Sequence, residues 1–209
     1  ERMDLSEIPN NRFCLPDADS AKEAEHYLDQ KIAECDSVGG VVECVISGLP
    51  AGLGEPVFEK LDANLAKAIL SIGAVKGFEI GDGFAATKAC GSENNDEFRM
   101  DGDKIVKETN HAGGVLGGIS DGSDVIFRAA FKPTPSIAKS QETVTKDGEN
   151  IDLVIHGRHD PVVVPRAVVV VESMAAITAM DMLLMSMTSR LDLIQMFFQV
   201  ENVDDSPEQ

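Results

Sequence analysis

Apolar residues recur three or four positions apart in three stretches of this chain and gather into short runs elsewhere. Ala24, Leu28 and Ile32 share one face behind the Ser20-Ala21-Lys22-Glu23 spacing of a capping box, which predicts a helix ending near Cys35. Phe58, Leu61, Leu65, Ala68, Ile69 and Ile72 predict a second helix opening near Val57. Met174, Ala175, Ile177, Met180, Leu183 and Leu184 predict a third, from Pro165 at a first helical position to about Arg190. Gly39-Gly40 breaks the first pattern, and the β-branched run Val41 to Ile46 predicts a strand. The Gly- and Pro-rich segment from Gly48 to Pro56 predicts a shaped loop.

After Val75 the pattern shortens to strands punctuated by Asp-Gly at Asp82, Asp101, Asp121 and Asp147, where both residues tolerate the positive φ of a tight turn. Phe98 to Met100 with Lys104 to Thr109, and Glu142 to Thr145 with Asn150 to Ile155, are predicted hairpins. Helices do not alternate one for one with strands, so the expectation is an α+β fold with mostly antiparallel sheets. Residues 1–36 are expected to be an extended lead-in and first helix, 37–200 the core, and 201–209 an acidic, flexible tail.

With 209 residues and 43% apolar content the chain can bury a sizeable core. Glu172 and Asp181 interrupt its longest apolar run short of the ~20 residues a membrane span needs, so no membrane is expected. The formal charge of -18 gives no footprint for nucleic acid, which demands a basic surface. Cys14, Cys35, Cys44 and Cys90 show no C-x-x-C pair and no companion His at zinc spacing, and are read as cytosolic thiols. The opening Glu-Arg-Met-Asp-Leu-Ser lacks the order of a secretory signal, and its start at Glu suggests an excised piece.

Four features could carry chemistry. Residues 128–166 hold six cationic and five acidic side chains, a net +1 against -19 for the rest, so anions are repelled least there. Lys132-Pro133-Thr134-Pro135-Ser136 offers an ammonium and two hydroxyls from a stiff backbone, which suits a phosphate, or is merely a connection. His111-Ala112-Gly113-Gly114 with Gly117-Gly118-Ile119-Ser120 would let a backbone approach a planar or phosphorylated ligand, or serves tight strand packing. Gly157-Arg158-His159-Asp160-Pro161 supplies an anion clamp, a group titrating near neutral pH and a carboxylate, or a structural Arg–Asp pair at a helix start. No Walker lysine, dinucleotide fingerprint or nucleophile–base set is present.

Taken in order, Gly52-Leu-Gly-Glu-Pro-Val-Phe58, Leu61-Asp-Ala63, Ala74-Val-Lys-Gly-Phe-Glu-Ile-Gly-Asp-Gly-Phe84, Asn94-Asn-Asp96, Asn110-His-Ala-Gly-Gly114, Gly117-Gly-Ile-Ser120, Lys132-Pro-Thr134 and Gly157-Arg-His-Asp-Pro161 resemble chorismate synthase over about residues 37–190. The resemblance implies a lyase: 1,4-anti elimination of phosphate from 5-enolpyruvylshikimate 3-phosphate to give chorismate, the last step of the shikimate route. It implies reduced FMN, which lends an electron and regains it, with NADP as an associated nucleotide. A cytoplasmic homotetramer and a β-α-β sandwich, its helices packed between antiparallel sheets, are implied too. On the family pattern Gly73, Ala74, Gly117, Lys132, Pro133, Thr134, Pro135, Ser136 and Arg158 match FMN-contacting positions, with Arg158 between flavin and substrate. Asp160 matches the carboxylate near flavin N5 and is expected to handle the proton.

One departure stands out. The family's Gly-Glu-Ser-His-Gly, Arg-Pro-Ser-His and Arg-Ser-Ser segments do not occur in this chain, and His111 and His159 do not match the histidines they would supply. The expectation is a carboxy-terminal core fragment that folds but is catalytically incomplete. The alternatives are a non-catalytic flavin-binding or oligomerisation core, and a phosphosugar-binding module unrelated to shikimate chemistry.

Overall fold

A computed structural model describes residues 3–157 and 159–198. In chain order the elements are α1 (Ala18–Ala33), β1 (Gly40–Ile46), α2 (Leu61–Leu70), β2 (Val75–Ile80), β3 (Phe98–Asp101), β4 (Lys104–Lys107), β5 (Val115–Leu116), β6 (Ile119–Ser120), β7 (Val125–Phe131), β8 (Ser140–Val144), β9 (Asn150–Val154), α3 (Val164–Thr188) and α4 (Leu191–Phe198). Short 3-10 helices cover Leu5–Asn10 and Gly83–Lys88.

Strict alternation in β7 makes it the centre of the three-stranded sheet β1-β7-β2, antiparallel to both neighbours. Val125, Phe127, Ala129 and Phe131 all point inward and are buried, and Phe127 stacks on Phe78 with ring centroids 5.3 Å apart. Onto that face α2 brings Leu61, Leu65 and Ile69, and α3 brings Ala167, Val171, Ala175 and Met182. Each fully buried Leu or Ile contributes roughly 1.5–3 kcal/mol of transfer energy, so this one helix–sheet layer anchors the fold. The α+β expectation with antiparallel sheets holds. The predicted hairpins form as β3–β4 and β8–β9, with Gly102 and Gly148 at positive φ in their turns.

Several boundaries differ from the sequence reading. Asp17, not the Ser20 capping box, caps α1: its Oδ2 accepts from Ser20 N (2.9 Å) and Ser20 Oγ (2.6 Å). The second helix opens at Leu61 rather than Val57, because Val57 adopts φ 70 and Glu55 N donates to Glu59 O to close a loop. The lead-in is not simply extended, since it contains the Leu5–Asn10 turn, and α4 follows α3 unannounced. Asp82-Gly83 opens a 3-10 helix instead of joining two strands. Glu172 and Asp181 do not disqualify α3 by length and composition: an 18-residue window reaches a mean hydropathy of 1.9, although one side of the helix packs on the sheet. Its other side leaves Val169, Ile177, Met180 and Leu184 exposed, so the described residues lay a sheet on one face of the helix only. The tail 201–209 lies outside the described residues.

Candidate functional site

Between α1 and β1 runs the short strut Asp36-Ser37-Val38-Gly39, and it holds together two loops that lie nearly 30 residues apart in sequence. Ser37 Oγ donates to Thr134 O (2.6 Å) in the loop after β7, and Lys139 Nζ donates to Asp36 Oδ2 (2.6 Å). Val38 N donates to Pro161 O (2.8 Å), and Val38 and Val162 form a parallel bridge, which fixes the loop before α3. Gly39 has no room for a side chain: a Cβ there would stand 2.3 Å from Phe131 O and 3.1 Å from Pro133 N. The Lys139 ammonium and Ser37 N–H hold the Asp36 carboxyl below its ordinary value.

The start of the Lys132–Ser136 loop is fastened to the turn before β2 by Lys132 N donating to Ala74 O (2.9 Å). Ala74 adopts φ 71, a left-handed conformation sustained by this tie, while Gly73 beside it faces open space, with nothing within 4 Å of where a Cβ would stand. Backbone oxygens of the loop are taken up by the fold, whereas Thr134 Oγ1 is buried with no partner among the described residues. An unpaired buried hydroxyl costs about 1–3 kcal/mol.

Asp160 lies where two cavities meet. One, of about 240 Å³, is lined by Gly73, Ala74, Phe131, Val163 and Arg166 and is mostly apolar. The other, of about 250 Å³, is lined by Ser37, Ser136, Gly157, His159 and Pro161. Arg166, in the first turn of α3, forms an ion pair with Asp160 through Nη1 and fixes one carboxylate oxygen. The structure thus gathers Gly73, Ala74, the Lys132–Ser136 loop and Asp160 into one corner. Arg158 lies outside the described residues.

Gly117 is not part of that corner. Gly118 O accepts from Leu61 N at the first residue of α2, whereas Gly73 follows the last turn of that helix; its 10 residues put about 15 Å between the two ends. The glycine-rich stretch is mainly a packing device. A Cβ on Gly113 would stand 2.4 Å from Gly81 N, on Gly114 2.5 Å from Asp124 O and on Gly118 2.3 Å from Lys60 Cγ, while Gly117 alone of the four faces open space.

The pairing of Arg166 with Asp160 and the strut Asp36–Gly39 escape the sequence reading. Arg166 stands six residues after Asp160, and that spacing across a helix start is the available signal. Nothing in the strut's composition announces its role, since its contacts are to residues about 100 and 120 positions away.

Residues 3–184 match the family model described as chorismate synthase. The chorismate synthase of Agathobacter rectalis is 63% identical over 197 residues, covering 94% of this chain and 54% of that protein. That of Lachnoclostridium phytofermentans is 63% identical over 188 residues, covering 90% and 51%. A crystal structure of a chorismate synthase superposes with a TM-score of 0.72 at 31% identity, covering 87% of this chain and 48% of that one. The chain spans about half the length of the curated relatives it matches.

Proposed function

Because the chain belongs to the chorismate synthase family, we propose that it forms the flavin-side half of a lyase that eliminates phosphate from 5-enolpyruvylshikimate 3-phosphate to give chorismate. The observation that carries this reading is the convergence on Asp160 of two adjoining cavities, one apolar and one edged with hydroxyls. That pairing suits a ligand with a flat apolar ring at one end and a phosphorylated, hydroxyl-rich tail at the other.

The residues fit FMN. Ile72, Ala74, Phe131 and Val163 would enclose the ring, with the unobstructed backbone of Gly73 at the rim. Thr134 and Ser136 would offer hydroxyls to the tail, and the stiff Pro133 and Pro135 keep those hydroxyls in place without induced ordering. Lys132 adds a cation at the head of the same loop. When bound in its reduced form the flavin supplies the electron that phosphate departure needs and recovers it afterwards. Asp160, oriented by Arg166, accepts or returns a proton at the ring's edge, the ion pair keeping one carboxylate oxygen in place. Gly117, at the other end of α2, is not used in this assignment.

Half the family's length is beyond this chain, and with it the substrate-gripping segments the resemblance calls for, so the chain alone binds flavin without turnover. FMN titration followed by flavin fluorescence tests the first part: saturable binding is expected, and no binding overturns the flavin-side assignment. In a protein of full family length, Asp160→Asn is expected to slow phosphate release by orders of magnitude with FMN affinity retained. Unchanged turnover removes Asp160 from the mechanism.

A further inference from the structure

The imidazole of His159 has no part in the reading above, yet its Nε2 is buried and lacks a hydrogen-bond partner among the described residues. Buried polar atoms are nearly always paired, so one left open in the wall of a cavity marks a place where a ligand atom completes the structure. The local backbone keeps one side of that ring free of a side chain. Gly157 adopts φ 150, and a Cβ built on it would stand 3.2 Å from His159 Nε2. Glycine therefore puts no side chain against the ring nitrogen on that side, in the wall of the cavity that Ser136 also lines.

The groups left open around that nitrogen decide the chemistry. Both carboxylates of this cavity are engaged, Asp36 by Lys139 and Asp160 by Arg166. What remains on the two loops is the Ser136 hydroxyl, the Thr134 hydroxyl and the His159 ring nitrogen, all able to donate. With Lys132, Lys139 and Arg166 against Asp36 and Asp160, the corner carries one net positive charge among these residues. A set of donors whose neighbouring carboxylates are already engaged fits an oxyanion with several acceptor oxygens.

We infer that His159 is a further binding residue: its Nε2–H donates to the phosphate of the flavin nucleotide, alongside Ser136. This rests on the flavin reading above and deepens it, since it assigns the phosphate end to the 250 Å³ cavity and leaves the apolar one to the ring.

The test is titration of the 209-residue chain with FMN and, separately, with riboflavin, which has the ring and ribityl tail but no phosphate. His159→Phe keeps the ring's bulk and removes the donor; the Kd for FMN is expected to rise about tenfold or more with riboflavin affinity unchanged. His159→Gln, which keeps a donor, is expected to restore most of the loss. An unchanged FMN Kd in His159→Phe overturns the inference, and so does an equal loss for both ligands, which would make the ring a part of the fold. A measurement on the unsubstituted chain covers the case in which the variant misfolds. The ring-nitrogen resonances of His159 should shift on adding FMN but not riboflavin, and no shift with FMN overturns the assignment. A parent chain that binds FMN and riboflavin equally well sinks only the phosphate assignment, whereas one that binds neither sinks the flavin reading and this inference together.

Discussion

Lys107 Nζ stands between two carboxylates, 2.7 Å from Asp121 Oδ2 and 3.2 Å from Asp96 Oδ2, and all three side chains are at most 7% exposed. The lysine at the end of β4 is thereby the pin that joins the β3–β4 hairpin to the glycine turns. Asn110 Oδ1 accepts from the same ammonium at 3.1 Å, and Asp96 also takes the N–H groups of His111 and Ala112 and the hydroxyl of Thr109. Lys107→Met would leave two buried carboxylates facing one another. Breaking one side of a buried ion network costs about 3–5 kcal/mol, so the urea midpoint should fall well below that of the parent. A midpoint within error of the parent would show that the network contributes nothing to stability.

The same cluster sets an acid limit. Burial alone would push the Asp96 carboxyl up, but the Ala112 N–H, the Thr109 hydroxyl, the His111 N–H and the Lys107 ammonium together hold it well below its ordinary value of 3.8. A carboxyl depressed in the folded state stabilises the fold fully above its unfolded value and loses that contribution as pH falls through the folded one. Stability should therefore be flat in this respect above pH 4 or so and decline below it. Asp96→Asn, less stable at neutral pH, should show a shallower acid decline. Parallel curves for the two proteins between neutrality and acid would refute this.

Two glycines beside the candidate site should respond in opposite ways. Gly39→Ala drives a methyl to within 2.3 Å of the Phe131 carbonyl and against Pro133, both backbone-bound and unable to turn away. Overpacking of this kind costs about 1–3 kcal/mol, and because it pushes on the Lys132–Ser136 loop it should also weaken FMN binding. Gly73→Ala meets nothing within 4 Å and should be near neutral in stability. Flavin titration and thermal melts of the two variants side by side check the contrast; equal behaviour would mean that the strut does not govern the loop.

How much of this was legible in the chain follows from the range of the interactions. The hairpins around Asp101-Gly102 and Asp147-Gly148 were readable because turn chemistry is local, and the core faces of α2 and α3 because burial imposes a 3.6-residue period. The opening of α2 was misplaced because Phe58 fits that period while its neighbour Val57 sits at φ 70, a conformation that no apolar pattern reports. The motifs of the site were legible as a series resembling a family, but their grouping was only partly so. Lys132 and Asp160 do share a corner, held there by Ser37 and Val38, while Gly117 is carried to the far end of α2 by the bond its neighbour Gly118 makes to Leu61. Such long-range ties involve single backbone groups and leave no periodic trace.

The outward face of α3 yields the last prediction. Val169, Ile177, Met180 and Leu184 recur at helical spacing and are 53–63% exposed, whereas Val171 and Ala175 on the opposite side are buried against the sheet. A helix apolar all round belongs inside a structure with protein on both sides, and the chain spans only about half of its relatives' length. The isolated chain should therefore bind an apolar dye and self-associate as its concentration rises. Ile177→Glu combined with Leu184→Glu should abolish both effects with little change in the urea midpoint, because neither side chain contributes to the sheet-facing core. Val171→Glu, a charge placed where exposure is 0%, should instead unfold the chain. Strong dye binding that survives the double substitution would mean that some other surface, not this face of α3, is the one left uncovered.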